Sequence, residues 1–389
     1  MNHLLLDQLN QIHKQKLNLP GNVQVKSPGR INLIGEHTDY NDGFVMPAAI
    51  DKSIYAVFSK SHTNSYIYAL DAEADHTFSV KDTLVPITDG GWKNYVLGVV
   101  AQLKDKGLPL GEFSMIFGGD IPIGAGLSSS AALENAVCHG LNELFGLGLT
   151  PKEMIVLSQK AEHEFAGVRC GIMDQFASMM GKKDHAFVLD CRSLDHTYFP
   201  VLLDTHEFVL YNSNVHHSLA SSEYNVRREQ CEQGVARLQS QGFAIQTLRD
   251  VSQDILESHK NSFDPLIFKR CLYIVEENRR VNQFAQTMAA NNLNEAGDIL
   301  YQGHQGMKTA YEITCPEIDF MIDFTRELPQ VAGARMTGGG FGGCTLNLVK
   351  KDYIDTLTAD LNQAYQEKFG KNITPIRVTL DNGVETIAI

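Results

Sequence analysis

The chain is 389 residues long, enough for two domains, and 43% of it is hydrophobic, so it can bury large cores. Its formal net charge is −13, which excludes nucleic-acid binding through a basic surface. The paired cations Arg227-Arg228 and Arg279-Arg280 read as solvated helix faces. The seven cysteines are odd in number, scattered and without a CxxC pair, so a reducing compartment is expected and neither a disulfide framework nor a zinc site. Only Leu4–Leu6 is apolar at the N-terminus, which is no signal peptide, and no stretch approaches the ~20 apolar residues of a membrane span.

In chain order, Val23–Lys26 reads as a strand ending in a turn at Ser27-Pro28-Gly29. Ile54–Phe58, Tyr66–Leu70 and Phe113–Phe117 are further strands, rich in β-branched and aromatic residues. Trp92–Lys104 and Ala131–Phe145 carry apolar residues at helical spacing. Thr150-Pro151-Lys152-Glu153 is a capping box that starts a helix to about Ala166, stopped by Gly167. A short helix follows over Ile172–Met180, then a strand over Ala186–Asp190. A domain change is expected near 195–205, dividing the chain into 1–200 and 201–389. Beyond it come a strand at Phe208–Tyr211, helices at Tyr224–Gln239 and Arg270–Asn291, a strand at Thr345–Val349, a helix at Tyr353–Phe369 and a strand at Ile376–Leu380. This segregation of helices and strands is α+β.

Three segments carry chemistry. Gly118–Ala131 leads from a strand through a Gly/Ser loop into a helix. Such a loop turns backbone N–H groups toward an anion, and the helix N-terminus adds unpaired donors. It is not a GxxxxGK[ST] loop, and a plain N-cap serine explains the pattern less completely. Gly29–Tyr40 places Arg30, Glu36, His37 and Asp39 within ten positions. Carboxylates there suit sugar hydroxyls and the Arg30 fork suits phosphate, against the alternative of an ordinary surface loop. Gly338–Gly343 has five glycines in six residues, whose entropic cost points to a tight loop beside a ligand. The adjacent His216-His217 pair reads as structural, because neighbouring side chains point apart. Glu162-His163-Glu164 reads as a solvated trio, and Asp174 as a charge at a helix start.

Together these segments resemble the GHMP kinases: Gly124–Ala131 their phosphate loop, Gly338–Gly343 their C-terminal glycine motif, and Gly29–Tyr40 the signature of the galactokinase branch. The resemblance implies a two-domain fold, a mixed-sheet N-terminal domain and an α/β-sandwich C-terminal domain, with the active site between them. It implies transfer of the ATP γ-phosphoryl group to the C1 hydroxyl of galactose, with Mg²⁺, by a cytoplasmic monomer that binds neither nucleic acid nor membrane. Asp174 and Arg30 would be catalytic. Glu36, His37, Thr38, Asp39, Gly171, Asp174 and Tyr224 would bind the sugar. Gly124, Ala125, Gly126, Leu127, Ser128, Ser129 and Ser130 would wrap the ATP phosphates, and Ser130 and Glu162 would hold the metal. Trp92 lies where the family builds its adenine pocket. Asn225 stands where relatives often carry a proline after the tyrosine, which implies a looser backbone there. A kinase for a related sugar such as N-acetylgalactosamine, or a non-catalytic sugar- and ATP-binding regulator, are the rival readings.

Overall fold

The computed structural model describes residues 1–122, 124–201, 203–215 and 220–388, with the backbone alone over 220–222. Ile123 of the Gly/Ser loop and the His216-His217 pair lie outside these residues. The N-terminal half runs α1 (His3–Leu17), β1 (Val23–Asn32), β2 (Phe44–Val45), β3 (Pro47–Lys60), β4 (Ser65–Ala69), β5 (Ala74–Phe78), α2 (Trp92–Asp105), β6 (Phe113–Gly119), α3 (Ser129–Phe145), α4 (Pro151–Ala161), α5 (Met173–Met180), β7 (His185–Asp190) and β8 (His196–Pro200). The C-terminal half runs β9 (His206–Asn212), α6 (Ala220–Ser240), α7 (Gln253–His259), α8 (Pro265–Ala289), α9 (Leu293–Gly306), α10 (Pro316–Arg326), β10 (Val331–Thr337), β11 (Cys344–Lys350), α11 (Ile354–Phe369), β12 (Thr374–Arg377) and β13 (Glu385–Ile387).

A mixed six-stranded sheet, ordered β13-β1-β3-β6-β4-β5, forms the first half, and only its β4–β6 pair is parallel. Along β3 the side chains alternate between two cores. Ile54, Ala56 and Phe58 join the large core under α3 and α5, whereas Tyr55 and Val57 meet Leu6 and Leu9 of α1. Both faces are therefore covered, which explains the unbroken apolar run. Helix α1 was not legible beforehand, because its buried side is narrow: Leu6, Leu9 and His13. A small sheet, β2-β7-β8, flanks the site.

The second half is built on an antiparallel sheet, β10-β11-β9-β12. Here too a strand serves two cores: Phe208 and Leu210 face the large core, and Val209 and Tyr211 face a second one under α8, α10 and α11. The chain then returns, and β13 pairs with β1.

The expected turn at Ser27-Pro28-Gly29 is not a turn. β1 continues to Asn32, and its register with β3 slips between Pro28 and Arg30. This bulge bends the strand. It brings Gly29 so close to the Gly/Ser loop that a Cβ would lie 2.6 Å from the Leu127 carbonyl, while Arg30 N–H donates to that carbonyl at 3.1 Å. The Arg227 and Arg280 side chains are likewise not solvated but 7% and 5% exposed. Arg227 donates to the Tyr311 and Glu312 carbonyls, and Arg280 pairs with Glu277.

Helix α9 meets β10 backbone to backbone, which places the strand that feeds the glycine-rich loop. A Cβ on Gly297 would lie 1.7 Å from the Ala332 carbonyl. Alanine gains up to about 1 kcal/mol of helix propensity, but overpacking against backbone costs about 1–3 kcal/mol. Gly297→Ala should therefore lower the urea midpoint without changing the slope. A raised midpoint would show that α9 can move off β10 at little cost.

Candidate active site

Three adjoining cavities form one cleft between the halves. The first, about 120 Å³, is lined by Glu36, His37, Asp39, Glu162, Cys170 and Tyr224, among others. The second, about 250 Å³, lies over Gly124, Gly126 and Ser128–Ser130 and shares Arg30, Asp174 and Gly339 with the first. The third, about 280 Å³, shares Ser129 and Ser130 with the second and is walled by Trp92, Tyr95, Phe117 and Leu133. A larger cleft, about 760 Å³ around Tyr301 and Arg326, shares no lining residue with these and holds none of the site residues expected from the sequence.

The first chamber is lined by several buried polar side chains. Asp39 is 8% exposed, and its carboxyl packs so tightly on Gly171 that a Cβ there would sit 2.0 Å from the carboxyl carbon. Burial, then the nearby Asp174 charge, push Asp39 up to about 6. His37 adopts a left-handed backbone, φ 63°, which turns its ring inward. Burial lowers it to about 4, so it is neutral. Its Nε2 donates to the Gly339 carbonyl (3.1 Å), and its Nδ1 accepts from the Tyr40 hydroxyl (2.6 Å), a tautomer assigned from these partners. Tyr40 in turn meets the Tyr311 hydroxyl at 2.7 Å. Both ring nitrogens are thus engaged by protein, and the ring lies 4.7 Å from that of Tyr224. The structure does not bring the Thr38 hydroxyl to the chamber. It is buried and points at the Gly35 and Phe44 carbonyls, at 2.8 and 2.6 Å, fixing the loop. Tyr224 reaches the chamber from α6. Asn225 does not loosen the backbone: it accepts from Arg169 N–H (3.1 Å) and donates to the Gly167 carbonyl (3.3 Å), tying α6 to the segment before Gly171.

Between the first and second chambers, Arg30 grips Asp174 with both ends of its fork, Nε to Oδ1 at 2.8 Å and Nη2 to Oδ2 at 2.9 Å. Its Nη1 donates to the Gly126 carbonyl at 2.7 Å. Ser128 Oγ donates to Asp174 Oδ2 at 2.5 Å. Ser128 is therefore not the side-chain cap of α3, and the first N–H groups of that helix face the second chamber without one. Gly124 and Gly126, both at φ 71°, supply the left-handed turns of this loop. Leu127 is a buried anchor, so the loop offers the second chamber its backbone, Ser129 and Ser130.

Glu162 is 6% exposed and is not part of a solvated trio. α4 ends at Ala161 and widens into a π turn over Glu162–Ala166, where a continuous α-helix was expected. Met154, Ser158, Ala161 and Phe165 are buried at helical spacing, and Glu162 falls on that stripe. That spacing was readable and would have placed Glu162 inward. Burial first, then Asp174, raise it to about 7, while bonds from Cys170, Ser130 and Gln175 oppose the shift. Gln175 Nε2 bridges Glu162 (2.7 Å) to the fully buried Glu134 (3.0 Å). One carboxylate beside one hydroxyl is a hard-oxygen pair that fits Mg²⁺, which takes one or two carboxylates plus phosphate and water.

Comparison with known proteins agrees with this geometry. Residues 11–60 match the galactose-binding signature of galactokinases, 94–182 the N-terminal domain of GHMP kinases and 284–367 their C-terminal domain. A galactokinase of Thermotoga maritima is 38% identical over 368 residues, 94% of this chain and all of the relative. One from Roseiflexus is 38% identical over 379 residues, 97% of this chain and 96% of the relative. The chain belongs to the galactokinases. The crystal structure of Lactococcus lactis galactokinase complexed with galactose superposes with a TM-score of 0.93 at 32% identity, covering 98% of this chain and all of that one. A mevalonate kinase, at 17% identity and a TM-score of 0.66, shares the fold. As a member of this family the chain is an ATP-dependent sugar kinase.

Several residues of this galactokinase were invisible as a site in one dimension. Phe117 of β6 and Leu133 of α3 join Trp92 and Tyr95 of α2. Arg335, three positions before the glycine run, has a fully buried guanidinium bonded to Glu36. A cation so close to that loop was the available signal.

Because Asp39 titrates higher folded than unfolded, folding favours its protonated form. That contribution is fully present below about pH 4, the unfolded value, and is lost as pH rises through about 6. Asp39→Asn should therefore raise the melting temperature at pH 7.5 and leave it little changed at pH 4. Equal shifts at both pH values would show that the carboxylate is not a stored cost.

Proposed function

We propose that the cleft divides the galactokinase reaction, transfer of the ATP γ-phosphoryl group to the C1 hydroxyl of α-D-galactose, among its three chambers. Adenine lies in the aromatic chamber of Trp92, Tyr95 and Phe117. The phosphates lie over Gly124–Ser130 at the α3 N-terminus. Galactose lies in the polar chamber, with hydroxyls donated to Glu36 and Asp39 and contacts to Gly171 and Tyr224. His37 forms its wall and Thr38 fixes its loop. One observation carries this assignment: Arg30 and Asp174 line both the sugar chamber and the phosphate chamber, at the only place where a hydroxyl and a γ-phosphate could meet within this cleft.

Asp174 has about four acceptor positions as a carboxylate. Arg30 and Ser128 occupy three, one on Oδ1 and two on Oδ2, which leaves Oδ1 able to accept the C1 hydroxyl. Asp174 thereby aims the hydroxyl oxygen at phosphorus and receives its proton as the new bond forms. Arg30, fixed by Gly126 and Asp174, lies where charge gathers between acceptor and phosphoryl group. The transition state of such transfers is loose, so held position and fixed charge supply most of the catalysis. Ser130 and Glu162 would hold Mg²⁺, which neutralises phosphate charge when bound. The 250 Å³ middle chamber has room for a line of phosphates.

The domains divide at 200/201, residues 1–200 carrying the sugar signature and phosphate loop and 201–389 the glycine-rich loop, with β13 returning to the first sheet. The seven free thiols suit the reducing cytoplasm. No described helix is long and apolar enough to cross a membrane.

Asp174→Asn keeps size and removes the proton acceptor. Turnover with galactose and Mg-ATP should fall at least about 10²-fold with the ATP KM little changed; near wild-type turnover would remove Asp174 from the mechanism. Sugar choice is a separate test. Galactose and glucose differ at one hydroxyl, and a site built on buried acceptors penalises the epimer that leaves one unpaired by roughly 1–3 kcal/mol. Asp39→Ala should lower kcat/KM for galactose more than for glucose. An equal loss for both sugars would make Asp39 scaffold and not selector.

A further inference from the structure

The sugar signature and the glycine-rich loop come from different halves of the chain and are stitched along their length. Thr337 Oγ1 donates to the Asn32 carbonyl (3.0 Å), Gly338 N–H to Glu36 Oε1 (3.3 Å) and His37 to the Gly339 carbonyl. At the centre of this seam is Arg335 of β10, with no exposed surface. Its Nη2 bonds Glu36 Oε2, its Nη1 reaches Glu277 Oε1 (3.2 Å) and the Leu33 carbonyl (3.4 Å), and its Nε donates to the Met336 carbonyl (3.1 Å). Glu277 of α8 also accepts from Gly35 N–H (3.0 Å) and from Arg280 Nε (2.6 Å).

Glu36, Arg335, Glu277 and Arg280 are all buried and carry no net charge together. Burial pushes the Arg335 guanidinium down to about 9, still protonated at neutral pH. A carboxylate with 1% exposure is shielded from bulk water; its direction is set by its protein partners. Arginine alone can do this, because five donors on a rigid fork reach acceptors on three segments, whereas a lysine ammonium presents its three donors from one point.

We propose that Arg335 is a positioning residue for galactose: it aims Glu36 into the sugar chamber, with Glu277 as the counter-anchor that holds the guanidinium in place. The inference rests on the reading of Glu36 as a sugar ligand. Arg335 acts through Glu36, so removing it should resemble removing the Glu36 charge.

Kinetics and galactose calorimetry on the full chain test this with Arg335→Lys, Glu36→Gln, the double variant and Glu277→Gln. Arg335→Lys should raise the galactose KM and Kd at least about tenfold, with the ATP KM within about twofold. On the Glu36→Gln background it should add less than about twofold. Galactose should also raise the melting temperature of Arg335→Lys less than that of wild type. A lower melting temperature with an unchanged galactose KM, or effects that multiply in the double variant, would overturn the proposal. Should Arg335→Lys fail to fold, Glu277→Gln keeps the Arg335–Glu36 pair but releases its anchor. It should raise the galactose KM several-fold, and an unchanged value overturns the proposal. A Glu36→Gln variant with unaltered galactose KM would overturn the reading of Glu36 and the proposal with it. An effect of Glu36→Gln without one of Arg335→Lys overturns the proposal alone.

Discussion

The cleft depends on one guanidinium. Arg30 is 4% exposed, bidentate to Asp174 and bonded to the Gly126 carbonyl, so a single rigid group fixes Asp174 and the Gly124–Ser130 loop relative to each other. Charge-assisted, forked bonds hold such a geometry more tightly than neutral ones. The bulge in β1 makes the arrangement possible. An undistorted strand would keep its register with β3 past Pro28, and Gly29 would not meet the Leu127 carbonyl. Sheet geometry is in this sense upstream of the chemistry.

Around that centre the molecule buries charge in places where charge is expensive. Asp39 and Glu162 are both held above their ordinary values, burial being the first cause for each, and His37 is held below its own. None of these settings helps the fold by itself. They suit the proposed roles: acceptors shielded from bulk water, and a carboxylate that would gain from a nearby cation. The same logic explains the seam between the halves, where two buried guanidinium–carboxylate pairs replace what could have been apolar packing. Replacing such pairs by hydrophobic residues often stabilises a protein, so their presence here follows the site and not the core.

Close backbone approach is the other constraint. Gly29 lets the first strand touch the phosphate loop, Gly171 lets Asp39 lie flat beside Asp174, and Gly297 lets α9 set the height of β10. The glycine-rich loop closes on both sides: a Cβ on Gly338 would be 3.2 Å from the Gly126 carbonyl, and Gly339 accepts from His37. The loop therefore borders the first and second chambers at once.

The sequence by itself determined the elements with strong local signals: the capping box at Thr150, the apolar stripes of α2, α3 and α11, and the three glycine-bearing segments whose combination resembled one kinase family. It also determined most of the site's membership, because Arg30, Glu36 and Asp39 lie close together on one strand and the loop after it, and Asp174 lies in a motif of its own. Tertiary structure alone decided the rest. The bulge at Pro28–Arg30 arises from docking on Leu127, which no local pattern records. Thr38, His37 and Ser128 were expected to face ligands, yet their polar atoms are taken by the Gly35, Phe44 and Gly339 backbone, by Tyr40 and by Asp174. The inward phase of Glu162 was readable from the stripe of its helix, but its meeting with Gln175, Ser130 and Cys170 was not. Arg335 and Glu277 stand about 300 and 240 residues from Glu36 in the chain, and the bonds that fix them exist only once the two halves have met. Local signals record what a residue can do; burial and partners in space decide what it does.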